Sequence, residues 1–144
     1  MSSDEHWRKL ERLYRGAPVN QYWEPRISIA DRSCEIVIPI REDFFHPAGA
    51  AHGVTYFKAL DDAAFFAANS VEEEFLLLTA SFQVMFIRPI SSGELRAQGT
   101  VVEATRTMVF AESVARDSAG REVGRGSGVF AVSRIRLGPD IGYS

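Results

Sequence analysis

The chain has 144 residues, of which 46% are hydrophobic and 24% charged, which is the length and balance of one globular domain with one core. A formal net charge of −3 argues against a surface that neutralises phosphates, so we expect no nucleic-acid partner. No apolar run reaches the roughly 20 residues that cross a bilayer, and the N-terminus is charged, so we expect a cytoplasmic protein with no membrane partner.

The first third of the chain predicts a helix and a hairpin. Apolar residues recur at spacings of three and four from Asp4 to Tyr14, which indicates an amphipathic N-terminal helix within residues 1–16. Residues 26–40 alternate in the manner of two short strands, with a turn at residues 31–33. Residues 43–51 contain proline and glycine without a clear period, so we predict a loop there.

The middle of the chain predicts a buried helix, and the remainder predicts a sheet. Residues 53–70 lack proline, are rich in alanine and are apolar around most of the helical circumference. Four β-branched and aromatic-rich segments follow, and their spacing predicts an antiparallel meander: 75–88, 94–103, 107–116 and 122–136. We therefore predict an α+β fold, one domain over residues 1–144, with an antiparallel sheet wrapped around one long central helix. The irregular tail, residues 137–144, is expected to fray.

One carboxylate interrupts an apolar stripe of the predicted central helix. Asp61 shares that stripe with five apolar residues: Val54, Phe57, Ala64, Phe65 and Ala68. A carboxylate in apolar surroundings is costly and has a raised pKa, which suits a catalytic base. The neighbouring Asp62 lies four residues from Lys58, and a weak ion pair on the more polar side explains it. Lys58 is also three residues from Asp61, so the pattern leaves open a structural ion pair for both aspartates.

The predicted start of the central helix, at His52-Gly53, is the second candidate. The first N–H groups of a helix have no internal partner, and a glycine lets a ligand carbonyl approach the backbone. Gly53 and Asp61 together suggest attack on a carbonyl whose developing oxyanion is held by a backbone N–H. A plain entry turn would also account for Gly53, and a structural histidine would account for His52.

Three segments resemble, in order and spacing, the motifs of hotdog-fold thioesterases, and among them the phenylacetate-degradation group. The segments are AAHGVTYFKALDDAAFFAANS, LTASFQVMFIRPISSGELRAQGTVVEATRT and GREVGRGSGVFAV. The resemblance runs from about Phe44 to Val132. It implies the hotdog fold and a homodimer whose sheets join edge to edge, paired again into a dimer of dimers, a homotetramer.

The resemblance also assigns residues. The family's His-Gly-Gly helix start corresponds to His52-Gly53-Val54, and its catalytic Asp, nine positions after the His, falls on Asp61. A Ser or Thr near the start of the next strand falls on Thr79. Each site would combine Gly53 of one subunit with Asp61 and Thr79 of the other, and Asp61 would attack the thioester or activate a water that does.

Two positions depart from the family pattern. The family usually carries Asn where this chain has His46, and Gly where it has Val54. With His52, these residues are predicted to contact the substrate. The resemblance implies hydrolysis of a small aromatic or medium-chain acyl-CoA to the free acid and CoA, with no metal and no bound cofactor, because a thioester is already a reactive acyl donor.

Two other functions compete with hydrolysis. A non-catalytic acyl-CoA-binding or sensing module would keep the pocket and tolerate the changes at His46 and Val54, but it has little use for a desolvated carboxylate. A hotdog dehydratase is faintly suggested by His46-Pro47-x-Gly49, yet it needs a helical Glu where this chain has Lys58, Ala59 and Leu60.

Three further sets of residues have open roles. Alternating glycines in the last strand predict close packing of the helix on the sheet: Gly124, Gly126 and Gly128. Arginines on or beside strands are candidates for contact with CoA phosphates: Arg88, Arg96, Arg106 and Arg116. Four phenylalanines belong either to the core or to an acyl tunnel: Phe57, Phe65, Phe82 and Phe86.

Overall fold

The structure is a computed structural model that describes residues 1–144. Its helices are α1 (Ser3–Gly16), α2 (Pro18–Trp23) and α3 (Gly53–Asn69). Its strands are β1 (Arg26–Ala30), β2 (Ser33–Pro39), β3 (Phe75–Phe86), β4 (Glu94–Ala104), β5 (Met108–Arg116) and β6 (Glu122–Arg136). Single turns of 3-10 helix occupy Glu42–Phe44 and Pro139–Ile141. None of the helices combines the length and apolar composition that a membrane-spanning helix requires.

The six strands form one antiparallel sheet that wraps around α3, which confirms the predicted α+β architecture. The buried face of α3 is mostly alanine, and Ala59, Ala63 and Ala67 are fully buried. Small side chains let the helix axis lie close to the sheet, and larger residues such as Leu60 fill the space on either side. The core therefore lies between α3 and the concave face of the sheet.

The strand order corrects the predicted meander. The order is β1-β2-β4-β5-β6-β3, so only β4, β5 and β6 follow one another as a meander, while β3 pairs with β6 at the far edge. Residues 87–93 carry the chain back to β4, which pairs with β2 and β5. Regular spacing of strands predicts their existence but not their neighbours, because pairing is decided by contacts distant in sequence. As a result, β3 is an edge strand.

The alternating glycines of β6 do less for helix packing than predicted. A Cβ on Gly124 would meet the Tyr56 ring of α3 at 3.3 Å, but one on Gly126 or Gly128 would meet the Phe82 ring of β3 at 2.5 Å. Two of the three glycines thus make room for a phenylalanine on the neighbouring strand. Among the glycines of the sheet, Gly99 of β4 lies nearest to the helix, because a Cβ there would be 2.1 Å from the carbonyl oxygen of Ala63.

We expect Gly99→Ala to destabilise the fold by about 3 kcal/mol, because the new methyl group would collide with helix backbone that cannot move without displacing α3. Urea denaturation gives the free energy of unfolding. Gly16→Ala is the matched control, since a Cβ at Gly16 meets nothing within 4 Å and should change stability by less than about 1 kcal/mol. Equal stability of the two variants would contradict this account of the helix contact.

The chain ends are held more firmly than predicted. Gly16 ends α1, and Pro18 then begins the short helix α2, in a stretch between the predicted helix and hairpin for which no element was predicted. Proline suits the first turn of a helix. The expectation that the tail frays is wrong, because Tyr143 is only 6% exposed. Its hydroxyl bonds Nδ1 of the buried His6 at 2.8 Å, and Nε2 of His6 bonds the carbonyl of Asn69 at 2.9 Å.

Candidate functional site

The first turn of α3 leaves one backbone donor free. His52 caps the helix, since its Nδ1 accepts from the Val54 N–H at 2.9 Å and its carbonyl accepts from the Thr55 N–H at 2.9 Å. The Gly53 N–H donates to no atom of the chain. It lies at the positive end of the helix dipole and is available to a ligand oxygen.

Gly53 lines a cleft of about 310 Å³. The lining residues come from three segments that the fold brings together: His46, Ala51, Gly53, Tyr56, Phe86, Ile87, Arg88 and Pro89. A Cβ on Gly53 would lie 3.1 Å from the Phe86 ring, so the glycine keeps the gap between helix start and ring open. His46 and Gly53, both predicted to be site residues, share this cleft.

All three predicted substrate contacts lie at the same end of α3. His46 accepts the Ala48 N–H on Nδ1 at 3.1 Å, which leaves its Nε2 unbonded. His52 is exposed but its Nδ1 is used by the cap, so its observed role is structural. Val54 is 51% exposed beside Gly53. The Val54 side chain, which is larger than the family's glycine, therefore faces solvent in the single chain.

Asp61 lies eight positions further along α3, about 12 Å along the helix axis from Gly53. The Thr79 hydroxyl donates to its Oδ1 at 3.0 Å, so the structure brings two of the predicted catalytic residues together. Burial, assisted by the Asp62 charge, raises the pKa of Asp61 to about 6, while the Thr79 hydrogen bond and Lys58 act in the opposite direction. Such a carboxylate is ionised at neutral pH and still basic enough to accept a proton.

Thr79 reaches Asp61 from the edge strand β3. The pairing of β3 with β6 shifts register between Thr79 and Ser81, which marks a bulge in the strand. Bulges re-aim side chains and are common beside active sites. Here the irregularity falls directly beside the residue that holds Asp61.

Asp62 faces away from this pair. The predicted ion pair with Lys58 is present, with Nζ 2.5 Å from Oδ2. Contrary to the expected polar side of the helix, the Asp62 side chain is only 16% exposed, and Tyr14 of α1 donates its hydroxyl to the same Oδ2 at 2.6 Å. Sequence reasoning missed Tyr14, whose apolar spacing in α1 indicated only a core residue.

Next to the site, the single chain exposes apolar surface. Along and after β3, four side chains are between 41% and 64% exposed: Leu78, Met85, Phe86 and Ile87. Val54 and Phe57 on the first turns of α3 are also exposed. Exposed apolar side chains beside an unpaired strand edge are typical of a surface that contacts another chain.

Among the four arginines considered for phosphate contact, Arg88 is the one that lines the cleft. Its guanidinium donates to the Glu122 carbonyl at 2.5 Å. Arg96 instead pairs with Glu35 at 2.8 Å, and Arg116 donates to the Gly120 carbonyl at 3.3 Å. Arg88 is therefore the arginine best placed to meet a substrate at this end of α3.

Comparison with known proteins identifies the family. Residues 48–124, more than half of the chain, match the family described as the Thioesterase superfamily. The chain belongs to the Thioesterase superfamily. This confirms the resemblance inferred from the three segments and supports thioester hydrolysis as the general chemistry.

Solved structures with the same fold include thioesterases. The Escherichia coli PaaI protein, from the phenylacetic acid degradation operon, superposes with a TM-score of 0.85 at 15% identity, covering 93% of this chain and 97% of that one. A Haemophilus influenzae thioesterase gives a TM-score of 0.78 at 17% identity, covering 88% of this chain and 90% of that one. At these identities the likeness concerns the fold, and it confirms the hotdog architecture.

Two more relatives extend the comparison. A thioesterase family protein from Silicibacter pomeroyi gives a TM-score of 0.80 at 24% identity, covering 92% of this chain and all of that one. A Saccharolobus solfataricus protein with a provisional esterase name is 21% identical over 134 residues, which is 93% of this chain and 92% of the relative. Each of these two relatives therefore matches more than nine tenths of the chain.

Proposed function

We propose that this thioesterase hydrolyses an acyl-CoA with a small aromatic or medium-chain acyl group, with Asp61, Gly53 and Thr79 as its catalytic residues. The observation that supports this most is the half-buried Asp61 carboxylate, held by Thr79 and with its pKa raised to about 6, on the helix whose first N–H is free. A base and an oxyanion donor are the two groups that thioester hydrolysis needs.

The spacing of these groups supports a site built from two chains. Gly53 and Asp61 are separated by about 12 Å on one rigid helix. A carbonyl bonded to the Gly53 N–H cannot also be within the roughly 3 Å that attack through Asp61 requires. We propose a homodimer in which Gly53 of one subunit faces Asp61 and Thr79 of the other, with the exposed apolar β3 edge at the interface. Pairing of such dimers into tetramers stays a prediction from the resemblance.

In the proposed reaction, the Gly53 N–H polarises the thioester carbonyl. The Thr79 hydroxyl occupies Oδ1 of Asp61, which leaves Oδ2 to take a proton from water as the hydroxide adds to the carbonyl carbon. The C–S bond then breaks, and the departing thiolate takes the proton back from Asp61. In the alternative route Asp61 adds to the carbonyl itself, and the C–S bond breaks to release the thiolate and leave a mixed anhydride. Water then cleaves the anhydride to the free acid and the Asp61 carboxylate, and the proton set free goes to the thiolate. Neither route requires a metal or a redox cofactor.

Aromatic side chains near Asp61 support the proposed acyl class. Phe57 precedes Asp61 by one helical turn and packs edge to face on Phe82, with ring centroids 5.5 Å apart. Phe82 in turn contacts Phe130 of β6, with centroids 6.2 Å apart. Because Phe57 is 41% exposed, one face of this cluster is free to contact an acyl group of a partner site. At the cleft, Arg88 is the proposed contact for a CoA phosphate.

Thiol release from an acyl-CoA panel tests the proposal. We expect phenylacetyl-, benzoyl-, hexanoyl- or octanoyl-CoA to give the highest kcat/KM, and palmitoyl-CoA to be slower, with free CoA trapped by a chromogenic disulfide. Matched acyl-carrier-protein thioesters test the CoA requirement. Binding of these ligands without thiol release from any of them would reject hydrolysis in favour of the acyl-CoA-sensing module.

A further inference from the structure

Next to Asp61 in α3, Asp62 is a second carboxylate, and it belongs to a buried network that the proposed reaction does not use. Asp62 receives Tyr14 Oη at 2.6 Å and Lys58 Nζ at 2.5 Å on the same oxygen. The Lys58 ammonium also lies over the Tyr14 ring, 5.1 Å from its centroid. The Lys58 and Asp62 side chains are only 13% and 16% exposed, so this is a buried ion pair.

Tyr14 is itself fixed from three sides. Its ring packs edge to face on Phe66 of α3, with centroids 5.0 Å apart, and only 3% of the residue is exposed. Its carbonyl accepts the Asn20 side-chain amide at 2.7 Å, which ties the end of α1 to α2. The N-terminal helices thus hold the phenol in place over Asp62.

Stability alone is a weak reason for such a network. A buried ion pair costs desolvation of both charges, and apolar residues of similar volume often serve the fold as well or better. The network is also next in sequence to the proposed base, and a fixed negative charge there disfavours a second one on Asp61.

We propose that Tyr14 and Lys58 are positioning residues that hold Asp62 ionised behind Asp61 and thereby set the proton affinity of the proposed catalytic carboxylate. This inference rests on the proposed function of Asp61. It gives α1, which lies outside the matched family region, a role in the chemistry.

The charged and polar groups that face these two carboxylates come from four elements. α3 supplies Lys58, α1 supplies the Tyr14 hydroxyl, β2 supplies the buried thiol of Cys34 near Asp62, and β3 supplies the Thr79 hydroxyl to Asp61. On Asp61, the Asp62 charge raises the pKa more than Lys58 lowers it. Burial raises the pKa of Asp62 too, and Lys58 and Tyr14 oppose that rise.

Carboxyl titration by NMR in protein labelled with ¹³C-aspartate tests the inference without requiring turnover. Asp62→Asn should lower the midpoint of Asp61 by about one pH unit, because a neighbouring negative charge is removed. Lys58→Met should raise it by a smaller amount, because the positive charge that is removed lowers the pKa of Asp61 less than Asp62 raises it. The acidic limb of kcat/KM should move with the midpoint in each variant. Asp4→Asn, an equal change of charge on the exposed first turn of α1, should leave it unmoved.

Tyr14→Phe keeps the ring against Phe66 and removes only the hydrogen bond, so the midpoint of Asp62 itself should rise. Asp61 midpoints that stay within about 0.2 unit in both charge variants, or that move in the same direction, would overturn the inference. That result in an active enzyme defeats this inference alone. Loss of thiol release on every substrate would defeat the proposed function while the titration still reports on the network.

Discussion

Asp61→Asn is expected to lower kcat by at least about a thousandfold on the best acyl-CoA substrate, with KM little changed. The amide accepts the Thr79 hydrogen bond as the carboxylate does, but it can neither take a proton from water nor add to a carbonyl. Steady-state thiol release, with protein concentrations high enough to detect the residual rate, gives the ratio.

Asp62→Asn is the matched control for this variant, since it makes the same chemical change one residue away. It should keep at least about a tenth of wild-type kcat at pH 8, where Asp61 is ionised in both proteins. In the wild type, kcat/KM should fall as pH drops through about 6, because the raised pKa of Asp61 brings protonation of the required carboxylate into that range. Turnover that collapses in Asp62→Asn and survives in Asp61→Asn would show that the other carboxylate does the chemistry.

Gly53→Pro is expected to lower kcat by about a hundredfold or more, because it deletes the one N–H proposed to hold the oxyanion. Proline is tolerated at the first helical position, and His52 before it has φ −60° and ψ 149°, which a following proline permits. The helix should therefore still begin at residue 53, as circular dichroism and the melting temperature would show.

Gly53→Ala separates the lost donor from added bulk. Alanine keeps the N–H and places a Cβ 3.1 Å from the exposed Phe86 ring, which can rotate away. We expect Gly53→Ala to lose about tenfold or less, well short of the loss in Gly53→Pro. Equal losses in the two variants would mean that space, not the hydrogen bond, matters at this position.

Mixing the two inactive proteins examines the shared site. If Gly53 and Asp61 act across a dimer, a heterodimer of Asp61→Asn and Gly53→Pro subunits contains one intact site and one with both defects. After exchange of subunits, about a quarter of wild-type activity should return. A mixture that forms heterodimers and stays inactive would place the complete site within one chain.

The elements themselves were largely predictable, because their signals are local. The apolar circumference of residues 53–70 predicted α3, and the alternating segments predicted β3 to β6 within one or two residues at most ends. The placement of β3 at the edge was not predictable, since the preference of Phe82 for the glycines of β6 depends on residues more than 40 positions away. The need for a glycine at position 99 was not predictable either, because the atoms that leave no room for a side chain there belong to the distant Ala63 backbone.

For the site, the stripe of α3 indicated Asp61, and the helix start indicated Gly53. Thr79 came only from the family resemblance, because a threonine in a strand is ordinary and its contact with Asp61 joins two elements. The contact of Tyr14 with Asp62 was not predictable for the same reason. The spacing of Tyr14 in its helix indicates that the residue is buried, but not which group its hydroxyl contacts.

The position of β3 has a consequence for how the chain is made. On the ribosome, β3 emerges before β4, β5 and β6, yet its partner within the chain is β6: Phe86 pairs with Gly124, and Phe75 with Arg136. During synthesis the twelve-residue strand β3, which is mostly apolar, therefore lacks its partner until residues 122–136 have been translated. Nascent chains stalled before residue 122 should bind holdase chaperones through β3, and release should coincide with completion of the last strand.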